Sequence, residues 1–391
     1  MRRALPAIAL GLTLVVVWPS SQSAFHEPRR WIFFIAAALG AVLTLPRWRW
    51  TALPLLALTA VQPWHSREAG LQALAFAWAL AAWPALRPDE RQLTRIAGVA
   101  AAIVGLVVVL QALGLDVFSF AAPEVGAGRL RLYGTLGNPD FVASALLPIA
   151  LLLLRELRAP PGQSGGRLAL TALLFIVPAL VLTRSFGTLL SALAAAAVFI
   201  LRASHARGVG DRRGLGSIAV LCGVLAIGLI GRDPSSTLAG RRYLVAVALP
   251  HVADAPLLGQ GLGATVLAWP TWELSYWQGR CADAACVAAD PERRFAALQD
   301  HVHADWLESL LERGVLGAIA LALALGAPLV AAWSRGDPFL LAALVAALAR
   351  GLVDFPLHRP ADLCLIAALA SINAPRRESL DHSPRTFSLS S

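Results

Sequence analysis

Two histidines and three acids fall within nine residues, Asp300-His-Val-His-Ala-Asp-Trp-Leu-Glu308. His301 and His303, at i and i+2, share one side of an extended segment, and Asp300, Asp305 and Glu308 are placed to orient an imidazole or raise its basicity. Histidine is the commonest general base because its unperturbed pKa lies near working pH. A two-histidine metal site at this spacing would be incomplete, so no metal is expected. A helix-entry histidine bonded to a carboxylate explains the same residues without catalysis.

A second set of residues suits anion binding. Arg129 and Arg131 precede Leu-Tyr-Gly-Thr-Leu-Gly, after which Asn138 and Pro139 supply a side-chain cap and a preset first turn for a helix. A helix amino terminus beside two arginines can hold an anion; a solvated loop with a well-capped helix accounts for them equally. Arg184 lies in the turn Thr183-Arg-Ser-Phe-Gly187, and Arg241 and Arg242 open a helix-like stretch ahead of Leu257-Leu-Gly-Gln-Gly-Leu-Gly263. That glycine run lacks the preceding strand of a nucleotide fingerprint and reads as a flexible turn. Arg350, with Asp354 one turn on, should point inward and form an ion pair, because an unpaired charge at that depth costs several kcal/mol. Trp269, Trp272, Tyr276 and Trp277 read as interfacial anchors, with a sugar-stacking platform as the alternative.

The elements that must position these residues follow from composition. Of 391 residues 57% are hydrophobic and only 15% charged, with a net charge of +9 and a mean hydropathy of +0.65. A soluble protein carries roughly a quarter charged residues, so this composition excludes one, and it excludes disorder. Four cysteines are too few for a disulfide scaffold. All 33 basic residues are arginines lying between apolar runs, which points to a lipid bilayer and not to nucleic acid as the partner.

Twelve apolar runs approach the length that a bilayer core requires, near 4–20, 31–46, 50–64, 69–86, 96–113, 139–154, 168–183, 187–201, 215–231, 306–333, 338–353 and 360–374. The expected class is an all-α polytopic membrane protein with about twelve transmembrane helices in a single domain over 1–374. The third run is the weakest, since Pro54 interrupts it, and is expected to be kinked or re-entrant. Placing both termini in the cytoplasm puts eighteen arginines in cytoplasmic loops and ends, as the positive-inside rule favours. The first run also admits a signal-peptide reading, with small residues at Ser21, Ser23 and Ala24. Two long loops, 114–138 and 232–305, then face the periplasm, and 375–391 reads as a disordered cytoplasmic tail. Cys281 and Cys286 in the second loop fit a local disulfide in an oxidising compartment, free thiols being the alternative; Cys222 and Cys364 fall in apolar helices and read as packing residues.

Taken in order, these segments resemble the O-antigen ligase family, which also includes O-antigen polymerases and bacterial O-linked oligosaccharyltransferases. Arg131 to Asp140 is similar to the family's Arg-x-x-Gly-Thr-x-Gly-Asn-Pro-Asn, with Asp140 in place of the last Asn. Thr183 to Gly187 resembles Thr-Arg-Ser-Arg-Gly, with Phe186 where a second Arg is common. Gly240-Arg241 through Pro256-Leu-Leu-Gly-Gln-Gly-Leu-Gly263 resembles a Gly-Arg segment ending in Pro-Leu-Leu-Gly-x-Gly-x-Gly, with Val245 where a Trp is frequent. His303, Ala304, nine residues and Gly314 resemble His-Asn, nine residues, Gly, with Ala304 in place of the polar residue; Asp354-Phe-Pro-Leu-His-Arg-Pro360 also looks like a family segment.

The resemblance implies a GT-C-like membrane enzyme that moves a glycan from undecaprenyl pyrophosphate to an acceptor hydroxyl at the periplasmic face of the inner membrane, without metal or other cofactor. Lipid A-core, growing glycan and protein are the possible acceptors, and ligation to lipid A-core is the chosen reading. It implies His303 as catalytic base with His301 secondary, Arg131, Arg184 and Arg241 on the pyrophosphate, and Asn138, Asp305, Arg129 and Arg242 in support. From a different class, a secondary transporter or flippase would call for ionisable residues near the membrane midplane and a broken helix pair.

Overall fold

The computed structural model describes residues 2–18, 23–44, 50–118, 132–158, 165–205, 212–232, 234–296 and 299–372. Arg129, Arg131, Ser21 and the tail from 375 lie outside them. Within the described residues the chain is helical, its only β-type pairing a single bridge between Trp64 and Leu262. Each apolar run forms a helix: α1 (Leu5–Val15), α2 (Glu27–Thr44), α3 (Leu53–Val61), α4 (Arg67–Ala82), α5 (Glu90–Ala112), α6 (Pro139–Glu156), α7 (Gly165–Thr183), α8 (Phe186–His205) and α9 (Arg212–Gly228). The long loop contributes α10 (Pro234–Ala248), α11 (Ala264–Gln278) and α12 (Ala284–Ala289), and the chain returns through α13 (Asp305–Arg335), α14 (Pro338–Ala349) and α15 (Pro360–Ile372).

Among the described residues five helical stretches, 67–86, 90–112, 165–183, 186–205 and 305–335, are long and apolar enough to cross a bilayer unaided. The third run does not reach that length. Pro54 sits in the first turn of α3 without kinking it, and the helix has nine residues, a rise of about 14 Å against a hydrocarbon core of about 30 Å. Helices α6 and α15 form the centre, with every residue from Val142 to Leu153 and from Pro360 to Ile372 buried. By contrast α7, α8 and α13 bury only 39%, 28% and 33% of their apolar windows and leave the rest facing outward, as expected of helices whose outer faces contact lipid.

Chain direction alternates through this bundle, so one end collects the starts of α6, α8, α13 and α15 and the finishes of α7, α9 and α14. All the candidate residues within the described segments gather at that end. The opposite end is tied by Arg155, which pairs with Glu90 and, at 2.9 Å, with Asp337, and by Arg335, 2.7 Å from Glu90.

The 232–305 segment is a folded helical unit with its own core. Tyr243 and Val247 of α10 pack with Trp269, Trp272 and Trp277 of α11 and with Val302, Leu307 and Leu311. The tryptophans are therefore not interfacial anchors: Trp269 is fully buried and the other two nearly so, because an aromatic cluster is what gives this small unit a hydrophobic interior. The same burial removes them as a sugar-stacking platform. Cys281 and Cys286 are joined in a disulfide at its outer edge, whereas Cys222 and Cys364 are free, the latter buried among helices.

The glycine run at 257–263 is not a flexible turn. Helix α13 breaks at Gly314 (φ 61°, ψ −174°), and the run lies against that break. Gln260 N–H donates to the Leu311 carbonyl and Gly261 N–H to that of Glu312, while Val315 and Leu316 N–H donate to Pro256 and Leu257. Backbone groups released by the break thus find partners, which a buried helix interruption requires. Backbone approach is so close that a Cβ on Gly314 would lie 2.4 Å from the Leu257 carbonyl carbon. Gly314→Ala, forcing a side chain into a conformation nearly restricted to glycine, is expected to destabilise the protein by at least about 1–3 kcal/mol; an unchanged thermal unfolding midpoint in detergent would contradict this packing.

Candidate functional site

The entry into α13 is built by carboxylates that reach back to the preceding backbone. Ala304 offers no side-chain cap, and Glu308 satisfies the segment before it, accepting from Val302 N–H at 3.2 Å and from His301 Nδ1 at 2.7 Å. Asp305 N–H donates to the Asp354 carbonyl (3.2 Å), and the Asp305 carboxylate accepts from Leu357 N–H (3.0 Å). These bonds lock 301–305 to 354–358. They leave His303 in a left-handed conformation (φ 58°), a strained backbone state for a non-glycine residue that tends to mark functional sites.

The side chain of His303 is partly exposed at 28%, with Nδ1 3.4 Å from Asp354 Oδ1 and its edge against Phe355 at 4.6 Å between centroids. The contact to Asp354 is long and off-line and leaves Nδ1 without a full hydrogen bond, yet it is the nearest acceptor and favours the tautomer with the proton on Nδ1. The opposite nitrogen, Nε2, then carries a lone pair. Burial pushes the imidazole below the ordinary histidine value, the Asp354 contact opposes this, and the Arg241 charge reinforces it. The ring is therefore neutral at pH 7, the form a base requires.

Asp354 is itself held as an anion. Burial alone would raise its carboxyl, but Arg359 and Arg350 hold it well below the usual carboxylate range. Arg350 Nε and Arg359 Nη1 each donate to Asp354 Oδ2 at 3.0 Å. Arg350 thus points inward and pairs with Asp354 as its position in the sequence suggested, and it does more. Its Nη2 donates to Asp140 Oδ1 (2.9 Å) and its Nη1 to Ser185 Oγ (2.8 Å) and Thr188 Oγ1 (3.2 Å). The unusual Asp140 is thereby matched to a cation. Gly187 lies here because a Cβ would fall 2.3 Å from Arg350 Nη1. Asn138 caps α6 by accepting from Asp140 N–H at 2.9 Å, so the helix start read from Asn-Pro is present.

Of the three expected phosphate arginines, Arg131 lies outside the described residues and the other two differ. Arg184, at a left-handed φ of 50°, donates from Nε to the Gly228 carbonyl (3.1 Å) and from Nη2 to that of Ile230 (2.8 Å). The end of α9 leaves carbonyls without intrahelical partners, and two of the three guanidinium nitrogens donate to carbonyls there. Arg241, by contrast, has no hydrogen-bond partner among the described residues. It lines a pocket with Arg232, Arg350, Asp140, Phe186, Gly187, Thr237, Leu238 and Val353, and burial without a paired carboxylate lowers its pKa. Arg242 is exposed and lies outside this lining.

Below His303 lies a second charged cluster. His358 approaches Asp305 Oδ1 (3.2 Å), Glu308 Oε1 (3.5 Å) and Glu312 Oε2 (3.8 Å), and its ring is 4.7 Å from that of His301. The donor atoms of His301, Glu308 and His358 lie within 4.8 Å of one another, close enough to hold a metal ion. In this structure His301 Nδ1 lies 2.7 Å from Glu308 Oε1, and His358 is an imidazolium. Burial would lower His358, but Glu308, Asp305 and Glu312 together hold it well above the ordinary value. A raised folded-state pKa contributes stability in full below the unfolded value of 6.5, and that contribution is lost as pH rises through the folded value. His358→Gln is therefore expected to destabilise most below about pH 6.5, with the difference from wild type shrinking on the alkaline side; a pH-independent difference in unfolding midpoint would refute the imidazolium.

Sequence reasoning missed Arg232, Arg359, His358 and Glu312 as members of these networks. Arg232 opens the 232–305 loop outside any motif, and Arg359 and His358 were visible only as part of the Asp354–Pro360 segment.

No curated protein matches the chain. A protein-family model described as O-Antigen ligase matches residues 169–322, a span running from α7 through the glycine run and His303 to the far side of the Gly314 break. The match takes in three of the segments that carry the resemblance, and residues 169–322 of this helical, multi-pass bundle are thus similar to the O-antigen ligase family.

Proposed function

We propose that the protein transfers a glycan from undecaprenyl pyrophosphate to an acceptor hydroxyl at the periplasmic face of the bacterial inner membrane, with O-antigen ligation to lipid A-core as the reaction. The proposal includes twelve membrane crossings in a GT-C-like arrangement, both termini cytoplasmic, and no need for a metal. One observation carries it: Arg241, a guanidinium with no hydrogen-bond partner among the described residues, lines a pocket with Asp140 and Arg350, and Arg350 joins that pocket through Asp354 to His303. A cation free to bind phosphate beside a base free to accept a proton is what transfer from a lipid pyrophosphate requires.

In this mechanism His303 Nε2 accepts the proton of the acceptor hydroxyl as its oxygen attacks the anomeric carbon. The bond from that carbon to the phosphate oxygen breaks, and the electron pair leaves with undecaprenyl pyrophosphate. Arg241 stabilises the charge that grows on the departing phosphate, because guanidinium donors can meet phosphate oxygens two at a time. Asp354 stabilises the imidazolium that forms on His303.

A polymerase or a protein O-oligosaccharyltransferase would use the same donor and site and differ in acceptor. A transporter or flippase fits less well, because the middle turns of the five long apolar helices carry no ionisable side chain. Deletion of the gene, followed by separation of lipid-linked, core-linked and protein-linked glycan, tests the choice. Ligation predicts polymerised glycan retained on the lipid carrier and core without it. Single repeat units on the core would instead make the protein a polymerase, and loss of glycan from protein alone would make it a protein transferase.

A further inference from the structure

The pocket beside Arg241 contains a second cation that no motif marks. We propose that Arg232, and not Arg184, is the arginine that holds the donor's phosphates together with Arg241, and that Arg184 is a positioning residue that sets Arg232 in place. This rests on the pyrophosphate-donor reading above.

The assignment follows from where each guanidinium nitrogen goes. Arg184 uses Nε and Nη2 on the carbonyls of Gly228 and Ile230, and it is absent from the pocket lining. Arg350 does line the pocket, but its three nitrogens are engaged by Asp354, Asp140, Ser185 and Thr188, so its charge is matched inside the protein. Arg232 differs from both. Its Nη1 donates to the Arg184 carbonyl, and that is its one hydrogen bond through the side chain among the described residues. Nη2 and Nε remain for a ligand.

Local backbone explains how it gets there. Helix α9 ends in a turn through Gly231 at φ 74°, a conformation that glycine adopts without strain, and Arg232 N–H donates back to Leu229 at 2.9 Å. Arg184 clamps the carbonyls of that same turn with its side chain and receives Arg232 with its own carbonyl, itself presented by a left-handed backbone. The two arginines therefore form one device, in which the first fixes the loop and the second faces the cavity. Phe186 lines the same cavity, so the side of the pocket where the resembling sequences often carry a second arginine is apolar here, and the cations that remain unmatched are Arg232 and Arg241. Two guanidinium groups suit two linked phosphates, each fork meeting a separate set of oxygens.

The test uses the full-length protein reconstituted in liposomes with undecaprenyl-pyrophosphate-linked glycan as donor and inorganic pyrophosphate as competing probe. Arg232→Ala is expected to raise the donor KM and the pyrophosphate inhibition constant by about ten- to a hundredfold, the loss of one charge-assisted contact, with an unchanged unfolding midpoint. Phe186→Arg in the Arg232→Ala background is expected to recover part of both, by returning a guanidinium to the same cavity. Arg184→Ala is expected to lower the unfolding midpoint as well. If Arg232→Ala leaves both constants unchanged, or lowers only the unfolding midpoint, Arg232 is a tether and the assignment is wrong. If Arg184→Ala alone raises both constants at unchanged stability, the roles are reversed. Wild-type protein that neither transfers glycan nor responds to pyrophosphate would instead remove the donor reading itself, and this assignment with it.

Discussion

His303→Ala and His303→Gln are each expected to lower glycan transfer by about a hundred- to ten-thousandfold, the range that a positioned general base contributes, while the protein folds and inserts as before. Glutamine keeps much of the shape and a hydrogen-bonding end but cannot carry the proton, so equal losses in the two variants separate proton transfer from packing. The wild-type pH profile supplies a second check. The His303 imidazole is held below the ordinary histidine value of 6.5 by burial, against the pull of Asp354. Activity should therefore persist as pH falls past 6.5 and decline only as the medium passes through the lowered value and Nε2 becomes protonated. Full transfer by both variants would show that another group takes the proton; His301 is the nearest histidine in sequence, but its Nδ1 is already bonded to Glu308.

Arg350→Met is expected to cost about 3–5 kcal/mol of stability, because removing one partner of a buried ion pair strands the other. The side chains of Arg350 and Asp354 are 3% and 2% exposed, and Arg350 bridges the start of α6, the α7–α8 turn and the end of α14 through Asp140, Ser185, Thr188 and Asp354. The loss should appear as a lower unfolding midpoint in detergent and as poor membrane yield. Adding Asp140→Asn should recover part of it by removing one of the stranded carboxylates, a coupling expected only of groups that share a network. An Arg350→Met protein that melts with the wild type would mean that these contacts contribute little, and that Asp354 is fixed by Arg359 alone.

What could be read from the sequence was what depends on local pattern. Apolar runs between arginines located the helices from α1 to α15 that cross the bundle, because helix formation in an apolar medium follows from hydropathy over one segment. Asn138 and Pro139 announced the start of α6 for the same local reason. The spacing of Arg350 and Asp354 announced their pairing, since four residues is one helical turn. What was hidden depends on segments distant in the chain. Nothing near residue 303 indicates that Asp354 stands beside it, nor does anything near 140 call for Arg350. The contacts of Arg184 were hidden because they are made to the end of α9, some 45 residues on. The glycine run was misread because its partner is the break at Gly314, and the tryptophans because a helical unit with its own core does not show in a hydropathy profile built to find membrane spans.

The central claim is that this chain breaks and makes a glycosidic bond at the Arg241–His303 end of the bundle, using a lipid pyrophosphate as leaving group. It is tested most directly by purified protein in sealed liposomes containing undecaprenyl-pyrophosphate-linked glycan and lipid A-core, with the glycan labelled. The account predicts that label moves to lipid A-core with release of glycan-free undecaprenyl pyrophosphate, and that His303→Gln and Arg241→Ala both abolish this. Label that stays on the lipid carrier and only changes leaflet, in wild type and variants alike, would contradict it and make the protein a translocator.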